Sequence, residues 1–225
     1  FSELYNGQTD SRVFLYGDGT NKTIYSGIDS ATGKPSAEYF PDLYEAEVGE
    51  ANTPITGMVR HYARLVVFKQ DATYSMSYST LVTATDVTTA AFYVTPVNRQ
   101  FDNKAPGQVD ILENNPLTLD DQAVYRWRSV STSGNITFDE RNAERISERV
   151  EVTLQGFDMA ETRIFNRKSA QEYWWMYGDK ALILNYGADV WYLYTGLSFR
   201  AMVEVGLETY GFRPDGGVVH ISRQY

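Results

Sequence analysis

Asp179 to Tyr194, DKALILNYGADVWYLY, is the stretch that decides the fold class. Four apolar residues, Ala181 to Leu184, lead into Asn185-Tyr186-Gly187-Ala188-Asp189, and Val190-Trp191-Tyr192-Leu193-Tyr194 follows. Two β-prone runs separated by about five turn-forming residues read as a hairpin. The same form recurs at Ala63 to Tyr78, ARLVVFKQDATYSMSY, and at Leu207 to Ser222, LETYGFRPDGGVVHIS. In each, an apolar run meets a break rich in Asp, Gly or Pro, and a run rich in aromatic and β-branched residues returns.

Outward from these hairpins the same grammar continues. Arg12 to Tyr16, the turn Gly17-Asp18-Gly19 and the return Thr23 to Gly27 form a first hairpin. Glu45 and Glu47 share one face of a short strand, with Ala46 and Val48 on the other. Ala123 to Arg128 places Arg126 and Arg128 on one face and Tyr125 and Trp127 on the other. Phe68 and Trp191 are core candidates, and the Trp174, Trp175 and Trp191 cluster reads as core rather than as a sugar platform. Pro96 to Leu119, with three prolines and Asn114-Asn115, has loop composition and is expected to be a long loop or insertion.

One helix is expected near 139–150. Thr137 and Glu140 have capping-box spacing, and Ala143, Ile146, Val150 and Leu154 recur at intervals of three and four. Val150, Val152 and Leu154 also alternate as in a strand, so the helix can stop early. Arg141, Glu144, Arg145, Glu148 and Arg149 then form a double charge stripe with i, i+3 partners. It is either a solvated face or an interface with a neighbouring subunit, and these five residues are the interface candidates.

Composition removes several classes of function. At 43% hydrophobic and 14% aromatic residues, the 225-residue chain is too rich in core formers to be disordered. Without cysteine it has neither disulfides nor thiolate metal sites, and its two histidines, His61 and His220, build no metal centre unless carboxylates join them. A net charge of −9 argues against sequence-independent binding along duplex phosphates. No run reaches the length of a membrane-spanning helix. Asp18 and Asp29 lack the spacing of a calcium loop, and His61 has no sequence-adjacent Ser, Cys or carboxylate. Gly-x-Ser-x-Gly, Gly-Lys-Ser/Thr and His-Glu-x-x-His are all missing, so no catalytic residue, metal or cofactor is assigned. The chain opens on Phe1 and is expected to be part of something longer.

The expected architecture is a single all-β domain over 1–225, built of antiparallel hairpin repeats. Their imperfect repetition favours a β-propeller-like ring, complete or partial, of around five blades at roughly 40 to 45 residues each. RVFLYGDGTNKTIYSGIDSATGKPSAEYFPD followed by ITGMVRHYARLVVFKQDATYSM resembles the propeller-like structural proteins of tailed bacteriophages, those of packaged-DNA stabilisation, head completion or tail. FDERNAERISERV, DVWYLY and ETYGFRPDGGVVHIS are similar to later parts of the same proteins. The resemblance implies a virion component, assembled in the host cytoplasm, that joins copies of itself or neighbouring phage structural proteins without catalysis. DNA would lie near it without being read by sequence. The alternative on the same fold is a carbohydrate-binding or glycoside-cleaving propeller, which for cleavage needs a carboxylate pair. A third reading is a host-receptor-binding tail module that exposes an aromatic patch.

Overall fold

The computed structural model describes residues 1–6, 11–82, 84, 88–121, 123–128, 130–132, 135–137 and 143–222. The chain divides into two compact units, the first Phe1–Asp120 with Val124–Ile146, the second Asp121–Ala123 with Ser147–Tyr225. The strands pair antiparallel throughout, as the hairpin grammar requires.

The first unit holds three four-stranded sheets. The first runs β1 (Ser2–Asn6), β2 (Ser11–Leu15), β3 (Lys22–Tyr25), β4 (Glu45–Glu47), and the second β5 (Ile55–His61), β6 (Arg64–Lys69), β7 (Thr73–Val82), β8 (Thr88–Asn98). The third is built from β9 (Asp110–Leu112), β10 (Asn115–Leu119), β11 (Val124–Trp127) and β14 (Ala143–Arg145), in the order β14-β11-β10-β9. Between β11 and β14 in sequence lies a two-stranded ribbon, β12 (Val130–Thr132) and β13 (Asn135–Thr137).

The run Leu65-Val66-Val67-Phe68 in β6 is buried along its whole length because the second sheet is covered on both faces. Strand alternation divides it between two cores. Leu65 and Val67 join Tyr5, Phe14, Tyr16, Met58 and Met76 in a core shared with the first sheet. Val66 and Phe68 join Val59 and Trp127 in a core shared with the third. In the first of these cores Phe92 of β8 is the hub, with its ring centroid 5.1 Å from Phe14, 4.7 Å from Tyr25 and 5.7 Å from Tyr78. In the second, Trp127 lies edge-on to Phe68 at 5.5 Å and donates its indole N–H to Thr118 Oγ1 at 3.0 Å, which satisfies the one polar atom that its burial would otherwise strand. Lys69, fully buried, donates from Nζ to the carbonyls of Val48 (3.1 Å) and Glu50 (2.5 Å). Gly49 between them has φ 60°, and a Cβ there would meet Tyr74 Oη at 2.2 Å, so glycine is required.

The second unit holds two sheets. The fourth sheet is β15 (Arg163–Arg167), β16 (Glu172–Tyr177), β17 (Lys180–Asn185) and β18 (Val190–Thr195). The fifth is β19 (Ala201–Val205), β20 (Glu208–Phe212) and β21 (Val218–Ile221). The hairpin read first in the sequence is β17–β18, closing with Asn185 opposite Val190, and the hairpins at 63–78 and 207–222 are β6–β7 and β20–β21. Trp174, Met176, Ala181 and Ile183 form the core against Met202, Val219 and Ile221. Phe68 is fully buried, whereas Trp191 is half-buried and stacks on Trp175 at 5.2 Å.

Two expectations are corrected. The helix expected near 139–150 is displaced: 139–142 lie outside the described residues, Ala143–Arg145 is strand β14, and this part of the chain turns helical at a 3-10 turn, Glu148–Val150, followed by a single α turn, α1 (Glu151–Leu154). Pairing with β11 gives β14 its backbone partners and sets Ala143 opposite Trp127, whereas an isolated short helix is marginal. Thr137 is the last residue of β13, and 138–142, where the capping box would lead, lie outside the described residues. Likewise 96–119 is not a long loop. It holds the end of β8, then β9 and β10, joined by a tight turn in which Glu113 (φ 49°) and Asn114 (φ 64°) are both left-handed, as a type I′ hairpin turn demands. Its connecting loop is held down by Asn103, fully buried, whose side chain donates to Ala105 O and accepts from Leu119 N.

Candidate functional site

The strongest site lies within the second unit, where the fourth and fifth sheets face each other. A cleft of about 360 Å³ opens there, lined among others by Glu172, Trp174, Tyr194, Leu197, Val219 and Ile221. Alternation explains the lining. Glu172 and Trp174 are two residues apart on β16 and so share a face, while Val219 and Ile221 do the same on β21.

Arg167, at the end of β15, ties this cleft together. Its Nε donates to Thr209 Oγ1 at 2.9 Å, Nη1 to Glu172 Oε2 at 3.2 Å and Nη2 to the Ile221 carbonyl at 3.1 Å. Trp174 Nε1 donates to the same Glu172 oxygen at 3.0 Å. With all three nitrogens used and its side chain almost wholly buried, Arg167 is a clamp between sheets and not an open anion site. Glu172 is the one carboxylate among the described lining residues.

The face of the fifth sheet turned away from the cleft carries Val203 and Val205 of β19, Phe212 of β20 and Val218 of β21. Val205 is 62% exposed and Val218 58%. Beside them His220 Nε2 meets Glu208 Oε2.

In the first unit a smaller cavity, about 90 Å³, is lined by Arg60, His61, Tyr62, Ile111 and Asn114. His61 is buried, and its Nε2 lies 2.7 Å from the Asn114 carbonyl. A carbonyl only accepts, so Nε2 carries the proton. Burial pushes the pKa of His61 down, and the hydrogen bond to Asn114 opposes that shift in part. The ring ties the β5–β6 turn to the β9–β10 turn.

The five charge-stripe residues are not gathered on one helix face. Glu144 and Arg145 stand on β14, where Glu144 bonds Arg128 Nη2 at 2.7 Å, while Glu148 and Arg149 are exposed in the 3-10 turn of the second unit. Arg141 lies outside the described residues. Asp18 and Asp29 do turn chemistry, Asp18 accepting from Thr20 N and Oγ1 and Asp29 from Ala31 N. Among the described residues no three His, Asp or Glu side chains come together as a metal site. No helix of the described residues is long and apolar enough to cross a membrane. The sequence reading missed Arg167, Glu172 and Tyr194 as a group; the Glu172-x-Trp174 spacing was the available signal for two polar atoms on one strand face.

No protein-family model matches the chain, and no curated protein does. Among solved structures it is similar to the extracellular domain of BT4673 from B. thetaiotaomicron, described as a one component system, with a TM-score of 0.47 and 11% identity. The match covers 99% of this chain and 28% of that one, so the chain spans little more than a quarter of its neighbour's length.

Proposed function

We propose that this chain is a non-catalytic assembly module of β-propeller-like build that joins further copies of itself through an open sheet face. Within that reading it is a structural component of a tailed-phage particle, at the head-to-tail connection or in the tail, as the sequence resemblance implies. The observation that carries the assembly reading is the outer face of the fifth sheet. Val203, Val205, Phe212 and Val218 stand on one face of three neighbouring strands, beside Tyr210 and the Glu208–His220 pair, and each of the four is at least 39% exposed. Contiguous exposed apolar surface on a sheet is the mark of an interaction site. In the first unit, successive sheets meet through faces of this kind, so a further sheet is the natural occupant.

Light scattering over a concentration series tests this reading. The chain is expected to form a defined oligomer that tightens as salt rises, because salt screens the repulsion between copies of charge −9 while leaving apolar burial intact. Val203→Glu should shift it to monomer with an unchanged circular dichroism spectrum. A strict monomer at every concentration, or unaltered association of the Val203→Glu chain, would overturn the proposal.

A further inference from the structure

The cleft between the fourth and fifth sheets has a polar end and an aromatic end, both set by the face of the fourth sheet that looks toward the fifth. Glu172 and Trp174 of β16, Asn185 of β17 and Tyr194 of β18 all project from that face and line the cleft. In the ladder Glu172 lies directly opposite Asn185, and Tyr194 directly opposite the small Ala181. The Tyr194 ring is 48% exposed and forms a platform beside Leu197, Val219 and Ile221. Trp174 joins the two ends, with its ring centroid 6.2 Å from that of Tyr194 and its indole N–H on Glu172.

The polar end is set in advance. Arg167 Nη1 and Trp174 Nε1 both donate to Glu172 Oε2, which fixes the carboxylate, while Oε1 receives no donor among the described residues. Asn185 Oδ1 accepts from the Ala188 amide at 2.9 Å, and its Nδ2 has no acceptor among the described residues. Residues opposed in an antiparallel ladder have Cβ atoms about 5 Å apart. An oxygen that only accepts and a nitrogen that only donates, placed side by side, suit a ligand that donates and accepts at neighbouring atoms, as two adjacent hydroxyls do.

The charges bordering the cleft are already paired. Arg167 spends its guanidinium on Glu172, Thr209 and the Ile221 carbonyl, and His220 at the rim meets Glu208. A charged ligand would compete with these pairs, whereas an uncharged one leaves them intact.

We infer that the cleft binds a neutral saccharide, with the C–H face of one sugar ring on Tyr194 and two neighbouring hydroxyls on Glu172 Oε1 and Asn185 Nδ2. The negative face of the aromatic ring attracts the polarised C–H groups, and a carboxylate held in place before binding lowers the cost of ordering. A cleft of about 360 Å³ is at the small end of ligand sites and has room for a mono- or disaccharide. Val203 and Val218 stand on the other face of the fifth sheet, so the inference does not rest on the assembly reading.

The test titrates the isotope-labelled chain with glucose, galactose, mannose and N-acetylglucosamine, and with lactose, maltose and cellobiose, while the Trp174 indole and Asn185 side-chain amide resonances are followed. At least one of these sugars should give saturable shifts of both signals, with a Kd of about 1 mM. Tyr194→Ala, at an exposed position, and Asn185→Asp, which keeps the acceptor for Ala188, should each weaken that binding at least about tenfold with an unchanged circular dichroism spectrum. Glucuronate and glucosamine should bind more weakly than the best neutral sugar. The Val203→Glu chain should bind that sugar as the parent does, which separates loss of self-association from loss of this site. No saturable shift with any of these sugars, undiminished binding in either cleft variant, or tighter binding of glucuronate or glucosamine would each overturn the inference.

Discussion

Tyr5→Phe isolates the polar part of the joint between the first and second sheets. Tyr5 is fully buried, its ring 6.1 Å from Phe14 and 6.3 Å from Phe92. Its hydroxyl donates to the Ala63 carbonyl at 2.9 Å, in the β5–β6 turn, and accepts from the Tyr78 amide of β7 at 2.9 Å. The phenylalanine ring retains the apolar contacts, so the change removes two hydrogen bonds and little else. Each is worth about 1 kcal/mol net, and leaving their partners desolvated raises the total to about 2–3 kcal/mol. Because the chain has two compact units, the first unit is best read locally, by native-state exchange of the Val66 and Val67 amides of β6. A loss below about 0.5 kcal/mol would show that water replaces the hydroxyl, and the reasoning about a dry joint would fall.

Two further outcomes are expected. The pKa of His61 is lowered in the folded chain, so the unfolded chain binds its proton more readily; the stabilisation is complete above about pH 6.5 and is lost as pH falls through the folded-state value. His61→Gln keeps an N–H donor that does not titrate, and its stability curve should lack that acidic slope; identical slopes for both chains between about pH 7 and 5 would refute the assignment. Arg167→Met should destabilise the second unit by about 3 kcal/mol or more by leaving Glu172 without its cation, and adding Glu172→Gln should recover part of the loss. Strict additivity of the two changes, measured by exchange of β16 and β17 amides, would mean that the pair is not coupled.

The hairpins were legible because each is written twice, in an apolar run and in a Gly, Asp or Asn break. The continuous runs Leu65–Phe68 and Ala181–Leu184 also signalled strands buried on both faces. The β9–β10 hairpin was not legible, since its turn residues, Glu113 and Asn114, sit in a stretch whose prolines read as loop. The expected helix failed because one sequence offered both periods, and pairing with β11 decided in favour of the strand at Ala143–Arg145. The clamp was invisible for a different reason. Arg167 meets Thr209 and Ile221 across separations of 42 and 54 residues, and nothing local to Arg167 marks it as buried.

The joints within the two units are closed by different means. The joints on either side of the second sheet are closed by aromatic mass on the sheets themselves, Phe92 in one and Trp127 in the other. The joint between the fourth and fifth sheets has Trp174 and Phe199 in its core, and adds a buried ion pair whose donors reach three elements at once. A buried ion pair contributes little net stability, but it fixes geometry, because removing either partner strands the other. Arg167 thus holds β15, β16, β20 and β21 in register.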